Sequence, residues 1–393
     1  MRFNLWEDCN RVPLTELLSF IVDNRGKTVP TAPSGHKLIA TNCVTNNTLF
    51  PVYDKIRYLS EETYQTWFRA HPIPGDILFV NKGTPGRVCL VPDPVDFCIA
   101  QDMIALRADE SKIYPKYLFT VLRSREIQQQ IYNTNVGDVI PHFKKQFLDQ
   151  LLIPIPERSI QESIGDLYYV LSLKAERNKK INDNLEQQAA ALFSSLYNRS
   201  NTEVRYTDLI QILGGGTPKT GETAYWNGNI AFFTPKDVGT PYTFITEKTI
   251  TEEGLSHCNS RLYPVNTVFV TARGTVGKVG LSGVPMAMNQ SCYALVGKET
   301  HQLLVYFYTL KAVDRLKHKA SGAVFDAITT RDFDSEQIMK LSDDDAKAFL
   351  CVAEPMFQEM LNNSIENLRL STLRDFLLPK LMSGEIDVSS VQL

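Results

Sequence analysis

From Ser159 to Tyr197 the chain steps in fours and threes through Ile160, Ile164, Leu167, Leu171, Lys174, Asn178, Ile181, Leu185, Gln188 and Leu192. That period predicts a long amphipathic helix whose apolar edge carries polar rungs in the middle. Pro154 and Pro156 stop the preceding segment, and Ser159 with Glu162 has the spacing of a capping box. A helix of about 38 residues spans roughly 57 Å and is not stable alone in water, so it requires a partner ridge. A second ladder begins at Ser342, with Asp345 in capping spacing. It runs through Leu350, Ala353, Phe357, Leu361, Ile365, Leu368, Thr372 and Phe376 and ends at Pro379 and Gly384. Pro355 lies inside it and predicts a kink or break near Glu354. The two ladders are expected to pair antiparallel, with a globular block at either end. Asn178 and Gln188 either fix the register of that pair or face solvent where the helices diverge.

The blocks outside the ladders repeat each other. GDILFVNKGTPGRVCLV (Gly75 to Val91) and NTVFVTARGTVGKVGLS (Asn266 to Ser282) both read strand, Gly-Thr-x-Gly, cation, Val, strand. Gly83 corresponds to Gly274 at an offset of 191, and Arg87 corresponds to Lys278. Downstream, IAQDMIAL matches MNQSCYAL with Gln101 opposite Gln290, and VGDVIPHF sits like SGAVFDAI with Gly137 and Gly322 at an offset of 185. Ordered matches at slowly drifting offsets identify a duplicated unit of about 190 residues. Each copy reads as short strands (Leu78 to Asn81, Arg87 to Val91, Met103 to Leu106; Thr267 to Thr271, Lys278 to Leu281, Tyr293 to Val296) followed by helix (Pro115 to Ile131; Thr300 to Lys319). The expected class is α+β: two similar domains separated by two long antiparallel, coiled-coil-like helices. Its divisions fall at 1–156, 157–200, 201–342 and 343–393.

Composition adds little to this picture and charge adds more. With 43% hydrophobic and 22% charged residues the 393-residue chain is ordinary for a globular protein. No run of 18 apolar residues occurs, which points to a cytoplasmic protein. Seven dispersed cysteines without a Cys-x-x-Cys pair argue for reduced thiols and against zinc. The net charge of −3 is unevenly spread: 17 basic against 16 acidic residues in 1–156, 6 against 6 in 157–200, 14 against 13 in 201–342, and 4 against 9 in 343–393. The two large blocks are near neutral, so each is free to present a basic face without a basic total.

Several catalytic signatures are missing. There is no Asn/Asp-Pro-Pro-Tyr element, no His-Glu-x-x-His, and no Gly-x-x-x-x-Gly-Lys, since Gly216 to Gly221 is followed by Glu222. Gly214-Gly215-Gly216 reads either as a backbone nest for phosphate or as a tight turn.

These residues resemble the specificity subunits of type I DNA restriction-modification enzymes over essentially the whole chain. LGGGTPKTGETAYWNGNIAFFTPKDV (Leu213 to Val238) is similar to the opening of their target recognition domains, FLLPKLMSGEIDV (Phe376 to Val388) to their C-terminus, and IPIPERSIQESI (Ile153 to Ile164) to the junction into the first helix. DNRGKTVPTAPSGHKLIATNCV (Asp23 to Val44) departs more and lacks the Tyr-Trp element. The resemblance implies a non-catalytic subunit that reads a bipartite sequence in double-stranded DNA, one half per domain. It also implies recruitment of two methyltransferase subunits and then restriction/translocase subunits. No cofactor is expected on this chain, and S-adenosylmethionine, ATP and magnesium would sit on those partners. Two rival readings are a stand-alone methyltransferase or nuclease with its own target domains and a tandem scaffold that binds only protein.

On that reading the candidate DNA contacts are Lys82, Arg87, Arg273 and Lys278 in the glycine hairpins, where cations neutralise phosphate or reach bases. Lys219, Tyr225, Asn227 and Lys236 mix charge, ring and amide in one loop suited to a groove; Trp226 beside them reads as a core anchor. Lys317 belongs to a basic helix face with Lys311, Arg315, His318 and Lys319, and His142, Lys144 and Lys145 are its counterpart in the first block. For each the alternative is a solvated surface charge. The off-ladder residues Tyr168, Tyr169, Leu173 and Ala189 to Ala191, with Leu381 in the C-terminal motif, are the expected methyltransferase contacts. The helix pair is expected to set the spacer between half-sites. Near-neutral domains imply weak DNA binding until the partner subunits close around the duplex.

Overall fold

The computed structural model describes residues 4–24, 26, 28–134, 141–239, 241–319 and 327–386. Gly137, Gly322 and the tail past Ile386 lie outside the described residues. The chain forms two compact units, Met1–Asn178 with Glu366–Leu393, and Lys179–Ile365.

In the first unit the run Ile77–Val80 is buried at every position. Such a strand must be covered on both faces. It lies inside an antiparallel sheet of order Leu18–Val22, Met103–Ala108, Ile77–Val80, Val88–Leu90. Ile77 and Phe79 point to a core shared with Tyr117, Leu118 and Val121 of the helix Pro115–Leu122. Leu78 and Val80 point the other way, toward Phe97, Ile99 and Ile39 of a three-stranded sheet of order Arg57–Leu59, His36–Ile39, Phe97–Ile99. A short pair, Asn10–Pro13 with Leu152–Ile155, closes the unit.

The second unit repeats this plan. Its sheet runs Ile210–Gly214, Cys292–Gly297, Val268–Thr271, Val279–Ser282, with Tyr242–Thr243 added parallel at the edge. Val268 and Val270 face one core and Phe269 the other. Lys248–Ile250, Trp226–Phe233 and Met286–Met288 form the covering sheet, and Thr202–Arg205 pairs with Gln337–Lys340. Apart from the added edge strand Tyr242–Thr243 the strands of the two units correspond, down to the mixed pairing of the covering sheets. The expected single helix Pro115 to Ile131 is two, Pro115–Leu122 and Arg125–Thr134. Buried Ser124 caps the second, its hydroxyl accepting the Ile127 N–H at 3.3 Å.

The central helix, Arg158–Arg199, is 42 residues long and the C-terminal helix, Asp343–Met382, is 40. They pair antiparallel within each unit. In the first, Arg374 lies over the Tyr168 ring at 5.4 Å, while Asn178 donates to Glu366 and, at 3.0 Å, to Asn367. In the second, Asn182 donates to the Met360 carbonyl at 3.2 Å and the Ser364 hydroxyl at 3.1 Å, and Phe193 meets Phe349 with ring centroids 5.4 Å apart.

Five expectations are corrected here. On the central helix the rungs Ile164, Leu171, Asn178 and Leu185 hold, but Ile181 is 46% exposed and Gln188 is also exposed, while Asn182 and Ala189 one residue on are buried. A buried asparagine bonded to Met360, Ser364 and Asn363 is invisible to a hydrophobicity ladder. On the C-terminal helix Phe376 is 56% exposed and Arg374 takes the seam, its stem buried and its guanidinium on Tyr168. Pro355 does not break the helix: it lies on an exposed face inside the continuous span Asp343–Met382, where its ring displaces no packed neighbour. Pro379 likewise falls within the helix. At the start of the central helix Ser159 is not the cap: the Glu157 carbonyl accepts the Ile160 and Gln161 N–H groups, and Glu162 pairs with Arg158 at 3.0 Å. At the C-terminal helix the expected cap forms, Ser342 Oγ accepting the Asp345 N–H at 3.1 Å.

Candidate nucleic-acid interface

The glycine hairpins turn on left-handed residues. Gly83 and Gly86 have φ of 86° and 89°, and Gly274 and Gly277 of 82° and 73°. A side chain pays for that conformation, so glycine sets the tight turn and leaves its flanking cations standing out. The hydrogen bonds match pair by pair. Gly86 N–H donates to the Val80 carbonyl at 3.0 Å and Gly277 N–H to that of Thr271 at 2.9 Å. Lys82, Arg87, Arg273 and Lys278 are all exposed.

Each hairpin gathers further groups. In the first unit Lys82 bridges to His142, and Gly83 N–H donates to the Pro141 carbonyl at 3.0 Å. This sets the segment carrying exposed Lys144 and Lys145 beside the turn. Lys145 is engaged by Asp23 at 3.2 Å. In the second unit Lys317 lies directly over Gly277: a Cβ there would stand 2.6 Å from Lys317 Cε. The Thr275 hydroxyl donates to the Pro235 carbonyl at 3.1 Å, which draws in the loop of Lys236, itself 3.4 Å from Glu247.

The rest of the basic helix face is occupied elsewhere. Arg315 lies 2.8 Å from the fully buried Glu336 carboxylate and Lys319 bonds its other oxygen. Lys311 donates to Ser194 Oγ at 3.2 Å and covers the Tyr197 ring, and His318 is 3.7 Å from Asp314. Arg315, Lys319 and Lys311 are thus engaged within the fold, His318 lies exposed beside Asp314, and Lys317 is the one laid over the hairpin glycine.

The Lys219 to Asn227 loop is pinned to the covering sheet. The Trp226 indole donates to the Lys219 carbonyl at 3.2 Å, and its ring meets Phe232 edge-on at 5.5 Å. Tyr225 stacks on His257 at 4.9 Å. Lys219 and Asn227 remain exposed, Asn227 at a φ of 61°.

The glycine run before this loop is not a nest. None of Gly214, Gly215 and Gly216 is left-handed, whereas a nest alternates right- and left-handed residues. A Cβ on Gly215 would collide with the Met288 and Asn289 carbonyls, and Gly216 N–H already donates to Met288 at 3.1 Å. Close backbone approach is what requires glycine at Gly215 and Gly216, whereas Gly214 meets open space.

That approach places Thr217 against Gln290, its hydroxyl donating to Gln290 Oε1. The first unit pairs the same two residue types with the bond reversed, Gln101 Nε2 donating to Thr28 Oγ1 at 3.3 Å. Sequence reading aligned the two glutamines without giving them a role. The signal was available, because Thr28 to Thr217 and Gln101 to Gln290 share an offset of 189.

Of the expected partner contacts, Tyr168 and Leu381 are 5% and 3% exposed and belong to the core of the first unit, so neither offers a docking surface. The Tyr168 hydroxyl accepts from Arg123 Nη1 at 3.3 Å. Tyr169 and Leu173 are half-buried, with Lys116 over the Tyr169 ring at 4.4 Å. Among the described residues no group of His, Cys, Asp and Glu is arranged to hold a metal, and no helix is long and apolar enough to cross a membrane.

The profile of the family described as "Type I restriction modification DNA specificity domain" matches residues 19–187 and 198–340. The type I restriction enzyme HindI specificity subunit of Haemophilus influenzae is 24% identical over 399 residues, covering 79% of this chain and 86% of that one. The EcoR124I/EcoR124II specificity subunit of Escherichia coli is 30% identical over 184 residues, 42% of this chain and 45% of its own. The crystal structure of a type I restriction-modification S subunit from M. genitalium shares the fold, with a TM-score of 0.61 at 16% identity over 97% of this chain and 98% of that one. With two profile matches covering most of its length, one in each structural repeat, the chain belongs to the type I restriction-modification DNA specificity family.

Proposed function

We propose that this chain is the sequence-reading subunit of a type I restriction-modification complex. It reads a bipartite target in double-stranded DNA, one half-site per repeat. It scaffolds two methyltransferase subunits and, through them, the restriction/translocase subunits. The work divides as 1–156 and 201–342 for recognition, and 157–200 and 343–393 for spacing and docking. In this reading the chain performs no chemistry and operates in the cytoplasm, and S-adenosylmethionine, ATP and magnesium act on its partners. Tyr169 and Leu173 remain the proposed methyltransferase contact on the central helix, and the exposed Val170 beside them is added to it.

One observation carries this reading: a single chain presents the same cation-flanked glycine hairpin twice, on two copies of one fold. Two equivalent readers suit a target with two halves. The test is to map methylated adenines in genomic DNA with and without this gene. Loss of methylation at one bipartite sequence is expected; an unchanged map counts against the proposal. A turnover assay on the isolated chain with S-adenosylmethionine, metal and DNA checks the non-catalytic part, and product formation would refute it.

A further inference from the structure

The two repeats serve as controls for each other. On the proposed function they read different half-sites, so a contact built identically in both has no sequence to distinguish. What both halves of a duplex share is the sugar-phosphate backbone. Groups that coincide between repeats are therefore backbone contacts, and groups that differ are left to read bases.

The coincidences cluster tightly. In the first unit the Asp102 carbonyl accepts the N–H groups of Asn81 and Lys82 at 2.8 and 3.3 Å. In the second the Ser291 carbonyl accepts those of Ala272 and Arg273 at the same two distances. The residue before each acceptor is the glutamine latched to a threonine, Gln101 on Thr28 and Gln290 on Thr217. A cationic hairpin, a glutamine turn and a threonine loop thus meet twice with the same backbone bonds, the glutamine donating to its threonine in the first unit and accepting from it in the second.

The side chains on the hairpins sharpen the point. Lys82 corresponds to Arg273, and Arg87 to Lys278: at both positions the charge is kept and the head group is exchanged, in opposite directions. A bidentate base contact depends on the planar guanidinium fork and does not survive that exchange, whereas phosphate neutralisation depends on charge alone. By contrast, what lies over the second glycine differs, Gln128 with Ile131 above Gly86 and Lys317 with Val313 above Gly277.

We infer that each unit carries a sequence-independent phosphate clamp, built from the hairpin cations (Lys82 and Arg87; Arg273 and Lys278) and the threonine-latched glutamine beside them. Base reading falls to the elements in which the repeats differ, among them the Lys219 to Asn227 loop. This inference rests on the DNA-reading function proposed above and divides its labour.

The experiment titrates the full-length chain, assembled with its methyltransferase subunits, against two labelled duplexes over a range of salt concentration. One carries the sequence whose methylation depends on this gene, and the other is unrelated. Variants are Arg87→Gln, Lys278→Gln, Gln101→Ala and Gln290→Ala, with Arg87→Lys and Lys278→Arg as charge-preserving partners, all checked for unchanged melting temperature. Each charge-removing variant is expected to weaken both duplexes equally and to lower the salt slope by about 0.9. The charge-preserving exchanges are expected to restore binding to within about twofold, as phosphate contacts require. A glutamine variant that loses only the specific duplex would overturn the inference, as would a tenfold loss in Arg87→Lys or Lys278→Arg. If the unaltered chain prefers neither duplex while the salt slopes still fall as expected, the function proposal fails and the clamp stands.

Discussion

Glu186 on the central helix is half-buried, and that burial raises its carboxyl above the usual range, with Asp183 adding to the shift. The Tyr306 hydroxyl donates to it at 2.9 Å and pulls the other way. A carboxyl whose folded pKa is raised favours the fold while protonated, and that contribution is lost as pH rises through the folded value. Glu186→Gln keeps an acceptor for Tyr306 and removes the charge. It should raise the melting temperature at pH 8 and change it little at pH 4; equal shifts at both would reject the assignment. Glycine variants separate two costs. Gly83→Ala meets open space and bears only the left-handed penalty of about 1–2 kcal/mol. Gly215→Ala drives a methyl into two backbone carbonyls that cannot rotate away, and should cost about 3 kcal/mol in urea unfolding. Both glycine runs stand out in the sequence. Which is a turn and which a close approach depends on Met288 and Asn289, more than 70 residues from Gly215.

At the scale of elements, the helix pair is held by an unusual seam. Asn182 is bonded through both ends of its amide, donating to Met360 and Ser364 and accepting from Asn363 at 3.0 Å. Asn182→Ala leaves the Asn363 amide buried without that acceptor and should cost about 2 kcal/mol. The double variant Asn182→Leu with Asn363→Leu should recover most of it, because removing both polar partners also removes the unmet desolvation. A thermal double-mutant cycle gives the coupling, and additive losses would refute it. The period of the helices was legible because it repeats along the chain. Their buried rungs were not, since Asn182 and Arg374 are admitted to the seam by partners that only the fold supplies.

For the whole molecule, the central helix begins in one compact unit and ends in the other. A helical insertion between Lys174 and Leu192, matched in the C-terminal helix, should therefore lengthen the spacer of the methylated site, and an unchanged spacer would reject the helices as its measure. Exchanging residues 1–150 for those of another member of the family should alter one half-site in the methylation map; a change in both would contradict modular reading. The sequence by itself determined the duplication, the two long helices and the paired hairpins, because each is written in local signals: period, glycine and spacing. Tertiary structure decided which cations are free. Arg315 and Lys319 look like surface charges until Glu336 is buried beneath them, and Lys317 joins the glycine hairpin because the fold lays it over Gly277. Burial and ion pairing are set by residues distant in the chain, and no local pattern records them.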